Sequence, residues 1–156
     1  MIISRRALAV IAATPLLSGV LPAGAAETKA EKSKKVHRVA IQVDGNDAAT
    51  MNLALNNIQN MFQHYGALGE QLEIRLVTFG PGLHMVREDT SPVKERLASM
   101  KSQLRNLSVV VCNNTKQNME KAEGKQIPIT PLGEMVASGV VELVKLQENG
   151  WTYLRP

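Results

Sequence analysis

Between Val36 and Val43 the chain sets Val36, Val39, Ala40, Ile41 and Val43 close together, the pattern of a largely buried strand. Asp44-Gly45-Asn46-Asp47 then breaks it with turn residues. Met51, Leu55, Ile58, Phe62 and Tyr65 follow at steps of four and three, one face of a helix that Asp47 or Thr50 can cap and Gly66 can end. Gln71 to Phe79 alternates Leu72, Ile74 and Leu76 with Glu73 and Arg75, a second strand that Gly80-Pro81-Gly82 terminates. Leu83 to Val86 reads as a short turn. Ser91-Pro92 introduces a second helix carrying Val93, Leu97, Met100 and Leu104, and Leu107 to Val111 is a third strand, apolar without alternation and so expected to be buried on both faces. Asn113-Asn114-Thr115 can cap a helix over Lys116 to Ala122 that Gly124 closes. Ile127-Pro128-Ile129 is extended, and Thr130-Pro131 predicts a short helix toward Ala137. Val140 to Leu146 predicts a strand, with Asn149-Gly150 as a hairpin turn into Trp151 to Leu154. The alternation of strands and helices predicts an α/β three-layer sandwich, a mostly parallel sheet with a C-terminal antiparallel strand. No internal repeat is visible.

The composition fits one globular domain: 156 residues, 44% hydrophobic and 21% charged, which excludes a wholly disordered, collagen-like or disulfide-stapled chain. The formal charge of +4 invites a nucleic-acid reading until it is located. Seven of the 18 basic residues are Arg5, Arg6, Lys29, Lys32, Lys34, Lys35 and Arg38, which leaves 11 from Val39 onward against 12 of the 14 acidic ones. The folded body is near neutral and lacks the positive field that nucleic-acid binding needs. Residues 1–25 read as an export signal: Arg5 and Arg6, an apolar run from Ala7 to Leu21, and Ala23-Gly24-Ala25 as the cleavage site. Ser4-Arg5-Arg6-Ala7-Leu8 partly matches a twin-arginine signal, so either that route or the general secretory one is open. The expectation is a periplasmic protein with no membrane attachment after cleavage, a flexible polar lead-in over 26–35 and one domain over 36–156.

Cys112, the single cysteine, is placed at the carboxyl end of the third strand, the edge where open α/β sheets hold ligands, and immediately before a helix. The unpaired amides there favour a thiolate, the form that attacks or accepts sulfur. Equally, Cys112 is a small hydrophobe that completes Val109-Val110-Val111 in the core. Asn113, Asn114 and Thr115 either donate hydrogen bonds to an anion or persulfide over the helix start or simply cap and turn. Asp44, Asn46 and Asp47 share that edge if the first and third strands are neighbours, with Asp47 better explained as a cap. Asn52, Asn56 and Asn60 form a polar stripe, either solvated or a subunit contact. His37, His64 and His84 have no paired-ligand spacing, and the methionines do not cluster, so no metal and no cofactor are expected. Nucleophile-elbow, phosphate-loop and Rossmann glycine patterns are missing from the sequence.

Several strings resemble the DsrE/DsrF-like family: Val39-Ala40-Ile41-Gln42-Val43, Ala54-Leu55-Asn56-Asn57 with Asn60, Gly80-Pro81-Gly82-Leu83, Val111-Cys112-Asn113-Asn114-Thr115, Ser138-Gly139-Val140-Val141 with Leu146-Gln147, and Gly150-Trp151. The resemblance implies a compact α/β sandwich that assembles as a homotrimer or hexamer. It also implies sulfur chemistry, because the best-understood members carry a persulfide on a cysteine after the middle strand, the place of Cys112. Those carriers have an Arg-Gly pair after the cysteine, where this chain has Asn113-Asn114-Thr115, and many relatives have His where this chain has Phe79. Both departures resemble the exported branch of the family. Two functions therefore stand: a persulfide carrier or thiol relay acting through Cys112, with a sulfur donor or acceptor protein as partner, or a non-catalytic oligomeric binding module with Cys112 in its core.

Overall fold

The computed structural model describes residues 35–156; the export signal and all of the lead-in but Lys35 lie outside the described residues. In chain order the elements are β1 (Val36–Val43), α1 (Ala48–Ala67), β2 (Gln71–Thr78), a 3-10 segment (Gly80–Val86), α2 (Lys94–Gln103), β3 (Leu107–Cys112), α3 (Asn113–Glu123), β4 (Gly133–Val136), α4 (Gly139–Glu148) and β5 (Thr152–Leu154). The sheet order is β4-β3-β2-β1-β5. Each neighbouring pair is parallel, from Val36 opposite Gln71 and Ile74 opposite Leu107 to Val39 opposite Thr152.

The direction of winding decides which face each helix covers. From β1 to β4 the chain moves steadily one way, and right-handed crossovers put α1, α2 and α3 on one face. From β4 it returns past β1 to β5, so α4 lies on the other face. On the first face Val39, Ile41 and Val43, Leu72, Ile74 and Leu76, and Leu107, Val109 and Val111 meet Met51, Leu55 and Ile58 of α1 and Leu97 and Met100 of α2. On the second face the core is smaller, Ala40, Val77 and Val110 against Leu143 and Leu146 of α4. Each such fully buried side chain contributes about 1.5–3 kcal/mol, so the first layer carries most of the stability.

The C-terminal third corrects four expectations. Gly133–Val136, read as part of a helix, is the edge strand β4, and Val140 to Leu146, read as a strand, lies in α4. That segment is apolar on nearly all sides, so its period was hidden: Leu143 and Leu146 face the sheet, whereas Val140, Val141 and Val144 are exposed. The third correction is that β5 is parallel, not antiparallel. Asn149-Gly150 ends a helix instead of turning a hairpin. Gly150 sits at φ 79°, and the Asn149, Gly150 and Trp151 amides donate to the Lys145, Gln147 and Leu146 carbonyls. A glycine in the left-handed region serves either turn, and only the crossover needed to reach a parallel partner selects the helix cap.

Arg87, just past the 3-10 segment, ties that segment to the end of α3. Its side chain is 1% exposed and holds Asp89 through Nε at 2.9 Å and Nη2 at 2.8 Å, and Glu123 of α3 through Nη1 at 2.5 Å and Nη2 at 3.0 Å. The guanidinium holds the Asp89 carboxyl well below the usual carboxylate range, and Glu123 is lowered in the same way.

Candidate functional site

Cys112 closes β3 and stands in the residue position just ahead of α3, in extended conformation at φ −75° and ψ 113°. Side chains alternate along a strand, so Cys112 shares with Val110 the face that α4 covers. The residue is 4% exposed. Burial pushes its thiol up, but the Thr115 hydroxyl and the backbone amides of Gly139, Thr115 and Asn114 outweigh that, and the net shift is downward. Asn114 and Thr115 belong to the first turn of α3, and Gly139 is the first residue of α4. Two helix N-termini thus converge on one sulfur, and their amides and dipole ends favour its anionic form.

The arrangement around the thiol is held by its neighbours. Thr115 Oγ1 accepts the Gly80 N–H at 3.0 Å, which leaves its own proton for the sulfur. The Asn114 amide also reaches the Ala137 carbonyl at 3.2 Å, stitching α3 to the segment that leads into α4. At Gly139 a Cβ would stand 3.1 Å from Cβ and Cδ1 of Phe79 and 3.3 Å from Cβ of Cys112, so the missing side chain is what lets the amide approach. Phe79 packs as an apolar wall in the same cluster as Val136 and Trp151.

The other residues singled out from the sequence divide. Asn114 and Thr115 reach the sulfur, whereas Asn113 begins α3 without contributing a donor. Asp44 and Asn46 do not join the thiol, because β2 lies between β1 and β3. The Asp44 carboxylate instead accepts from Arg155 Nη2 at 3.0 and 3.2 Å, spanning the point between β1 and β5 where the strand order reverses. Asp47 is the α1 cap, its carboxylate accepting the Thr50 amide and hydroxyl, both at 2.7 Å. Asn52 and Asn56 hold Arg96 of α2, making the stripe a link between helices. His37 Nε2 meets Glu70 at 2.6 Å with its ring stacked on Tyr65, and His84 Nδ1 meets Thr90 at 2.7 Å. Among the described residues no group of three or more His, Cys, Asp and Glu could hold a metal ion. None of their helices is long and apolar enough to cross a membrane. Sequence reasoning missed Gly139 and Gly80 as parts of the thiol's surroundings. Ser138-Gly139 ahead of the apolar run was the available signal, a helix start hidden by the strand reading.

A parallel α/β sheet with one shielded thiol at its carboxyl edge, facing two helix starts, defines the class of this protein. The DsrE/DsrF-like family model matches residues 37–156, and the chain belongs to that family. The solved structure of MTH1491, a protein of unknown function from Methanobacterium thermoautotrophicum, is 26% identical, with a TM-score of 0.65 over 77% of this chain and 99% of that one. No curated protein matches the chain.

Proposed function

We propose that this protein is a periplasmic, homo-oligomeric member of the DsrE/DsrF-like family that takes up and passes on sulfur through Cys112. The observation that carries the reading is the placement of the thiol between two helix starts: Cys112 directly precedes α3, the first residue of α4, Gly139, lies against its Cβ, and the Thr115 hydroxyl and nearby backbone amides lower its pKa. A cysteine whose only task is to fill space needs apolar neighbours, not two helix starts. In the proposed step the Cys112 thiolate attacks the terminal sulfane sulfur of a polysulfide or persulfide. A new Sγ–S bond forms, the donor S–S bond breaks, and the donor leaves as the shortened thiolate or sulfide with the electron pair. The donors then hold the anionic persulfide, and a second thiolate reverses the exchange.

Export is supported by the basic pair, apolar run and small-residue triplet of residues 1–25. Assembly is supported by Val140, Val141 and Val144, each about half exposed on the outer side of α4. The core reading has its own support in the 4% exposure of Cys112. Incubation with inorganic polysulfide followed by intact-mass analysis separates the two. The carrier gains roughly 32 Da, one sulfur atom, and Cys112→Ser abolishes the gain with little change in melting temperature. A wild type that never gains the adduct, together with a Cys112→Ser variant that melts well below it, refutes the carrier and leaves the binding module.

A further inference from the structure

On the face opposite the thiol, α1 and α2 border a groove of about 460 Å³. Its floor is Phe62, Met100 and Leu104, the outermost layer of the main core, and its rim is neutral and polar: Gln59, Gln63 and Gln103. Arg96 stands at one end. Its Nη1 donates to Oδ1 of Asn52 at 2.6 Å and to the Asn52 carbonyl at 3.4 Å, and its Nη2 donates to Oδ1 of Asn56 at 2.6 Å. All three acceptors are uncharged, and Arg96 belongs to no ion pair among the described residues. It shares this with Arg105 and differs from Arg38, Arg75, Arg87 and Arg155, each of which meets a carboxylate. A guanidinium has five N–H groups. The Nε–H and at least one Nη–H therefore remain without a described partner, on a cation that the asparagines hold in place but do not neutralise.

We propose that this groove binds a small amphipathic organic anion, a medium-chain carboxylate, with its headgroup on Arg96 and its tail along Phe62, Met100 and Leu104. A planar guanidinium fork suits a carboxylate in two parallel hydrogen bonds. The volume is that of a small-molecule site, lined by apolar side chains with a few orienting polar groups. From Arg96 to Leu104 the helix rises about 12 Å at 1.5 Å per residue, a span that an eight- to ten-carbon chain fills. The thiol reading does not enter this argument, since Cys112 faces the other side of the sheet.

The test is isothermal titration of the protein with sodium octanoate, compared with octanol and with butyrate. Saturable binding of one octanoate per chain is expected, with octanol and butyrate each at least tenfold weaker. Arg96→Gln removes the charge and should weaken octanoate at least tenfold. Because Arg96 also links two helices, Ser99→Glu serves as the second variant: it leaves Arg96 in place, sets a carboxylate on the groove wall, and should weaken octanoate to the same degree with an unchanged circular dichroism spectrum. The proposal is overturned if octanoate shows no saturable binding at millimolar concentration, if octanol binds as well as octanoate, or if folded Ser99→Glu binds like the wild type. It is also overturned if Arg96→Gln converts an oligomer to monomers, which assigns the groove to a contact between copies.

Discussion

Replacing Thr115 by Val keeps the shape of the side chain and removes the one hydroxyl in contact with Cys112. Two effects follow from the geometry. The sulfur keeps its burial, which raises the thiol pKa, but loses the side-chain donor that does most to lower it, leaving only the amides of Gly139, Thr115 and Asn114. A hydrogen bond to an ionised group contributes about 1.5–3 kcal/mol, so without the hydroxyl the thiol pKa should rise. The Gly80 N–H, which the hydroxyl accepts at 3.0 Å, is left without that partner. This should lower stability by about 1 kcal/mol, the low end of the 1–3 kcal/mol range, because Gly80 is only half-buried. The pH dependence has a definite sign. A thiol depressed in the folded state stabilises the fold fully above its unfolded pKa of about 8.5, and that contribution is lost as pH falls through the folded value. Wild-type stability should therefore climb with pH up to about 8.5, and the Thr115→Val curve should be flatter over the same window. The pKa is read from the pH dependence of alkylation rate and of thiolate ultraviolet absorbance, and stability from urea melts at several pH values. A folded Thr115→Val protein with the wild-type thiol pKa would show that the hydroxyl does not serve the sulfur, and the donor argument for Cys112 would fall with it.

Arg87→Met should lower the melting temperature substantially, because a side chain 1% exposed and paired with two carboxylates is replaced by one that pairs with neither. The carboxyls of Asp89 and Glu123 are depressed by Arg87, so they stabilise the fold above the ordinary carboxylate range and lose that contribution as pH falls through their folded values. Acid titration of the melting temperature should accordingly be shallower in Arg87→Met, and equal slopes would refute the assignment. Gly82→Ala should destabilise by at least 1–3 kcal/mol in a denaturant melt, because its Cβ would run into the backbone carbonyl of Val43, which cannot swing aside; a neutral result would contradict the close approach of the 3-10 segment to β1. Val144→Asp, at a half-exposed site on α4, should leave the fold intact but shift the mass from light scattering to the monomer, and an unchanged oligomer would remove this face from the assembly.

The elements up to α3 were legible because their local signals agree with one another, except at two helix starts: α2 begins at Lys94 and not at Pro92 behind a Ser91 cap, and α3 begins at Asn113 with Cys112 in the cap position, so Asn113, Asn114 and Thr115 lie inside the helix they were expected to cap. The four- and three-residue spacing from Met51 to Tyr65, the alternation in Leu72, Ile74 and Leu76, and caps such as Asp47 each report an environment set by nearby chain. The placement of Cys112 at a strand end ahead of a helix was legible for the same reason, being a matter of sequence order. Partner choice was not. Val140-Val141 and Asn149-Gly150 suit a strand and hairpin as well as a helix and its cap, and the decision came from the need to cross the sheet to a parallel position beside β1. That one decision brings the Gly139 amide to the sulfur and leaves three valines facing outward. The order β4-β3-β2-β1-β5 likewise separates Asp44 and Asn46 from Cys112, an outcome that no spacing along the chain encodes. Local hydrogen bonds and amphipathic period are properties of neighbouring residues, and so the sequence by itself determined the strand, the cap and the position of the thiol. Which groups surround that thiol, and which faces are left uncovered, depends on contacts between residues far apart in the chain, and only the tertiary structure decided them.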